Sequence, residues 1–178
     1  MKKSLLVLVA LSLVLAVVAQ AAEPTIIGVP KCVMCHKVKT GDQAKIWTES
    51  KHAGAFATLK GPAAIAIAKE KGLGNPWEEA ACLKCHTTKG FLGAALEAAT
   101  KWVPEEGVGC EACHGAGSEY KSKAVMEDHA AAVAAGMKIG GKETCVKCHN
   151  AESPTFKAFD YDKMWALIKH PVPAAAAK

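Results

Sequence analysis

The stretch Gly107-Val-Gly-Cys110-Glu-Ala-Cys113-His114-Gly-Ala-Gly-Ser-Glu-Tyr120 sets two cysteines three residues apart, with a histidine directly behind the second. The same five-residue pattern occurs at Cys32-Val-Met-Cys35-His36, Cys82-Leu-Lys-Cys85-His86 and Cys145-Val-Lys-Cys148-His149. These four copies use all eight cysteines of the chain. Disulfides or zinc would need paired thiols but would not place a histidine behind every pair. Cys-x-x-Cys-His is the attachment pattern of c-type haem. On a helical turn the two thiols reach the two vinyl groups of one porphyrin, and the adjoining imidazole points at the iron. Four copies predict four covalently bound c-type haems, held through Cys32, Cys35, Cys82, Cys85, Cys110, Cys113, Cys145 and Cys148, with His36, His86, His114 and His149 as proximal iron ligands.

The start of the chain fits this chemistry. Two lysines precede an apolar run from Leu5 to Ala19, and Ala19-Gln20-Ala21 gives an A-x-A cleavage pattern, so residues 1–21 read as a secretory signal peptide. An uncleaved anchor is the alternative, but the run is short for a membrane span of roughly 20 residues. Cleavage leaves 157 residues, with 22–173 as the tetrahaem domain and the alanine-rich 174–178 as a disordered tail. The expected location is the periplasm.

Charge excludes one class of partner. All 22 basic residues are lysine, two of them fall in the leader, and the remaining 20 face 17 acids. Four ferric haems, each with two propionates, bring this mature charge of +3 to about −1. The lysines are interspersed rather than clustered, so nucleic acid is not an expected partner. The expected partners are redox proteins in the periplasm or at the membrane, and the oligomeric state stays open.

Two Tyr and four Phe are little aromatic material for a core. With about 39 residues per haem, the macrocycles themselves supply the apolar interior. The expected fold is mainly α, with helices and loops wrapped around four closely packed haems. Helical character runs from Lys45 to Lys60. Gly61-Pro62 opens a second helix to about Lys71, and Asn75-Pro76 starts the helix of the second motif. Ser118 to Met137 reads as the longest helix, and Gly140-Gly141 breaks the chain before the fourth motif. A last helix from about Tyr161 stops before Pro171.

Four irons offer eight axial positions, and three histidines remain: His52, His129 and His170. His52 lies at helical spacing from Phe56 and Leu59, a placement more common for a core histidine, but four irons in need of partners favour a ligand here. His129 shares a stripe with Val125, Val133 and Met137, and Asp128 offers it an ion pair instead. His170 stands between an apolar helix and Pro171, which pushes the residue before it out of helical geometry, so its side chain leaves the helix at a fixed exit. All three are candidate second ligands. One iron is then short of a histidine and is open, takes Met126, Met137 or Met164, or receives a histidine from another subunit. Tyr120 either approaches a vacant distal site or packs on a porphyrin.

Together the four motifs, "WTESKHAGAFATL" after the first and "GVGCEACHGAGSEY" around the third make the chain resemble the tetrahaem cytochrome c-554 family. The resemblance implies a largely helical fold around stacked and perpendicular haem pairs, three irons bis-histidine and one five-coordinate, and a periplasmic electron carrier. It implies that His52 ligates the haem of His114, that His129 ligates that of His149, and that the haem of His86 is open. The family also has a distal histidine between its second and third motifs, and this chain has none from Thr87 to Gly109. His170 replaces it from the other end, for the haem of His36 or of His86. An electron carrier is the leading expectation rather than an enzyme. The alternatives are reduction of nitric oxide, nitrite or hydroxylamine at an open haem, and a subunit of a haem-bearing filament.

Overall fold

A computed structural model describes residues 23–93, 96–98 and 102–171. The expected signal peptide and the expected tail lie outside the described residues. Helices supply the regular structure, and the β structure among the described residues is one isolated parallel bridge between Ile26 and Ala98. In chain order the helices are α1 (Val29–Val33), α2 (Gln43–Thr48), α3 (Ala55–Thr58), α4 (Pro62–Glu70), α5 (Ala80–His86) and α6 (Thr88–Leu92). They continue as α7 (Cys110–His114), α8 (Lys123–Met126), α9 (His129–Ala134), α10 (Lys142–Cys145) and α11 (Tyr161–Ile168). None is long and apolar enough to cross a membrane.

Most helices span one or two turns, and the side chains of Thr87, Ser122, Asp128 and Asp160 cap the starts of four of them. The expected long helix from Ser118 to Met137 is instead α8 and α9. The Ser122 side chain accepts the Val125 N–H, and the Asp128 side chain accepts the Ala131 N–H, so each residue starts a new helix. Asp128 thus serves as a cap, and it reads over the continuous apolar stripe. The expected run from Lys45 to Lys60 also divides, into α2 and α3 with turns between them and no side-chain cap at the start of either. Asn75-Pro76 lies in a turn ahead of α5, which begins only at Ala80. α4 starts on Pro62 and α11 on the Asp160 cap, as the sequence suggests.

The buried apolar residues include Ile26, Ile27, Val29, Phe56, Leu59 and Tyr120, together with alanines. Met34, Ile139 and Leu167 are at least 60% exposed, and α11 buries no residue at all. The polypeptide therefore leaves much of its apolar surface uncovered by its own side chains.

The segment from Thr25 to Val29 threads the centre. Ile26 donates to the Glu97 carbonyl at 2.9 Å, and Thr25 exchanges hydrogen bonds with Ser118. Glu111, 2% exposed, accepts the N–H groups of Ile27, Gly28 and Gly117 at 2.7–2.9 Å. The glycines around the third motif make room for this crossing. A Cβ on Gly117 would meet Ile27 at 2.8 Å, and one on Gly109 would meet Val29 at 2.6 Å. The space they leave at these two positions is taken by the chain itself.

Candidate haem-binding site

Each Cys-x-x-Cys-His motif folds as one helical turn. The second lies in α5 and the third fills α7. The first and fourth close with His36 N–H to Cys32 carbonyl at 3.1 Å and His149 N–H to Cys145 carbonyl at 2.9 Å. That four-residue closure sets both thiols and the imidazole on one side of the turn. None of the eight cysteines is joined in a disulfide, and seven of them are half-buried.

The motifs adjoin one another out of sequence order. Cys32 and Cys110 are in contact, and Cys110 together with burial pushes the Cys32 thiol up. Burial and the neighbouring Cys85 push Cys148 up to about 12. Burial and then Cys145 push Cys113 up to about 11. The first motif is therefore next to the third, the third next to the fourth, and the fourth next to the second. A 2.6 Å ion pair between Lys84 and Glu152 spans the second and fourth on the surface.

Backbone carbonyls orient two of the proximal imidazoles. His86 Nδ1 lies 2.7 Å from the Ala55 carbonyl, and His114 Nδ1 lies 2.9 Å from that of Lys138. A ring that donates from Nδ1 presents Nε2 to a metal. Burial holds His36, His52, His149 and His170 below the usual imidazole range, with His149 adding to the effect at His52. Neutral imidazole is the form that binds metal.

The remaining histidines fall in different places. His52 meets His149 edge-on with ring centroids 6.1 Å apart, and His170 meets His114 at 5.8 Å. Two imidazoles on opposite sides of a metal, each bonded at about 2 Å, place their centroids roughly 6 Å apart. The structure thus sets His52 beside His149, where the resemblance implies His114. The turns between α2 and α3 explain the change. The His52 carbonyl accepts the Val108 N–H at 3.0 Å, and Trp47 Nε1 donates to the Val108 carbonyl at 2.8 Å, fixing where the ring emerges. His129 opens α9 on an exposed face with Val133, and the described contacts bring it to none of the proximal histidines. Tyr120 is buried with its hydroxyl turned inward, 2.6 Å from the Gly115 carbonyl and 3.1 Å from that of His114. It fastens the loop behind the third motif.

These features fit c-type haem: thiol pairs with an imidazole on each turn, Nδ1 anchors, facing imidazoles, and apolar side chains left uncovered. Bound there, haem would supply one-electron iron chemistry.

Several residues that position the motifs escape a sequence reading. Thr88, 2% exposed, donates its N–H to the Gly107 carbonyl at 2.9 Å and accepts the Gly109 N–H at 2.8 Å, tying the second motif to the third. Glu106 accepts the Val29 N–H at 2.7 Å beside the first motif. Glu111 occupies a variable position of the third motif. An acid inside a turn otherwise facing an apolar macrocycle is the one signal that marks it.

Residues 31–115 match the family described as "Cytochrome c554 and c-prime". This span contains the first three motifs and His52. The chain is similar to cytochrome c-554 of Nitrosomonas europaea, at 31% identity over an alignment of 161 residues, and the match covers 77% of this chain. It spans 63% of that relative's length. No solved structure matches.

Proposed function

We propose, from the match of residues 31–115 to the cytochrome c-554 family model and the likeness to a cytochrome c-554, that the chain is an exported electron-transfer protein carrying four covalently bound c-type haems. Four equivalent helical turns, each offering two thiols and an imidazole, carry this reading. The contacts between motifs support passage of electrons along the order first, third, fourth, second, because adjoining attachment turns bring their macrocycles together. Cys32 and Cys35, Cys82 and Cys85, Cys110 and Cys113, and Cys145 and Cys148 form the thioethers in this proposal. His36, His86, His114 and His149 are the proximal ligands. His52 and His170 are second ligands, with His52 serving the iron of His149, and His129, on its exposed face, is the third candidate. The protein works in the periplasm after loss of residues 1–21 and exchanges electrons with redox partner proteins there or at the membrane.

The test is expression in a host with a cytochrome c maturation system, followed by intact mass and a redox titration of the periplasmic product. Four haem masses on a chain beginning at residue 22, reduced and reoxidised reversibly, are expected. Unmodified thiols on a stably folded exported chain would overturn the proposal.

A further inference from the structure

Resting on that reading, we infer that His170 supplies the second axial nitrogen to the iron that His114 holds. The sequence leaves the haems of His36 and His86 as the choices for this histidine, and among the described residues its ring contact is with neither of them. It stands against His114, with centroids 5.8 Å apart and planes tilted by 42°. The His114 ring is already oriented, because Nδ1 is taken by the Lys138 carbonyl and Nε2 is left for the metal.

The route of the C-terminal strap makes the pairing specific. The Asp160 cap starts α11, the helix ends at Ile168, and Lys169 turns extended with ψ 140°. His170 is therefore delivered from an extended residue ahead of Pro171 rather than from the helix face. The strap is seated at its far side by the loop behind the first motif. Gln43 Nε2 reaches the Pro171 carbonyl at 3.4 Å. Gly41, at φ +105°, leaves the space for that carbonyl, since a Cβ there would lie 2.7 Å from it. Loop, strap and third motif thus converge on one imidazole pair, and the C-terminal end supplies the ligand that the segment from Thr87 to Gly109 lacks.

The experiment uses the full mature holoprotein and its His170→Ala variant, compared by EPR and by optical spectra with and without carbon monoxide. Intact mass of the same samples counts the attached haems. One haem is expected to move from low-spin to high-spin, with one more equivalent of carbon monoxide bound, and added imidazole restores the low-spin signal. Four attached haems with an unchanged spin count would sink the pairing and leave the electron-transfer reading standing. A wild-type chain without attached haem would instead sink that broader reading.

Two further variants name the partner iron. In a Cys110→Ala, Cys113→Ala background, which carries three haems, His170→Ala is expected to add no high-spin signal. A further high-spin haem there would assign His170 to an iron other than that of His114 and overturn the inference. Gly41→Val keeps every histidine and cysteine but displaces Pro171, and it is expected to raise the high-spin fraction of the same haem. A wild-type spectrum for this variant also counts against the pairing.

Discussion

The carboxylate of Glu111 accepts the backbone N–H of Ile27 at 2.9 Å, so a residue inside the third motif fixes the chain just ahead of the first. Gly28 and Gly117 donate to the same buried group, and each of these bonds is charge-assisted. Glu111→Ala leaves three buried donors without an acceptor and is expected to cost about 3 kcal/mol or more. Glu111→Gln keeps one acceptor oxygen and costs less. Denaturant midpoints of the holoproteins, compared with wild type, check the order. A midpoint for Glu111→Ala equal to wild type removes the role.

His52 and His149 form the other facing pair, and His52→Ala should expose the iron of His149. One low-spin haem becomes high-spin, and the remaining haems keep their EPR signals because His170 and His114 are untouched. Loss of haem attachment at the fourth motif is not expected, since the thiols of Cys145 and Cys148 remain. An EPR spectrum identical to wild type excludes His52 from the iron.

Gly107 carries φ +63°, and a Cβ on it would lie 2.6 Å from the His52 carbonyl and 2.8 Å from that of Ala53. Gly107→Ala must strain the backbone by about 1–3 kcal/mol and push this segment away. The expected result is a lower thermal midpoint together with partial high-spin character at the same haem that His52→Ala affects. Equal loss at every haem would point to general unfolding instead.

The motifs, their helical turns, the start of α4 and the stop of α11 were legible in the sequence because each depends on local chemistry: paired thiols, Pro62 and Pro171. The breaks at Ser122 and Asp128 were legible in principle, since both are capping residues, but the apolar stripe across them has the same period as a continuous helix. The pairing of His52 with His149 and of His170 with His114 was not legible. It depends on tertiary hydrogen bonds from Trp47, Val108 and Gln43, which no residue spacing encodes. Glu111 and Thr88 were hidden for the same reason, because their partners are backbone groups from distant segments.

Glu106 gives the pH dependence a sign. Its Oε2 accepts the Val29 N–H, its Oε1 is buried with no hydrogen-bond partner among the described residues, and burial is the main cause that raises its carboxyl above the ordinary 4.5, with Glu111 adding to it. The folded protein therefore holds this proton more tightly than the unfolded chain. Stability from this group is present in full below pH 4.5 and declines as pH rises through the folded value. Glu106→Gln cannot ionise and should remove that part of the decline, so the midpoint–pH curves of variant and wild type converge on the acid side and separate above it. The measurement is a set of denaturant midpoints at constant ionic strength from pH 4 to 8. Curves that stay parallel across the whole range would mean that Glu106 keeps its ordinary affinity for the proton beside the first motif.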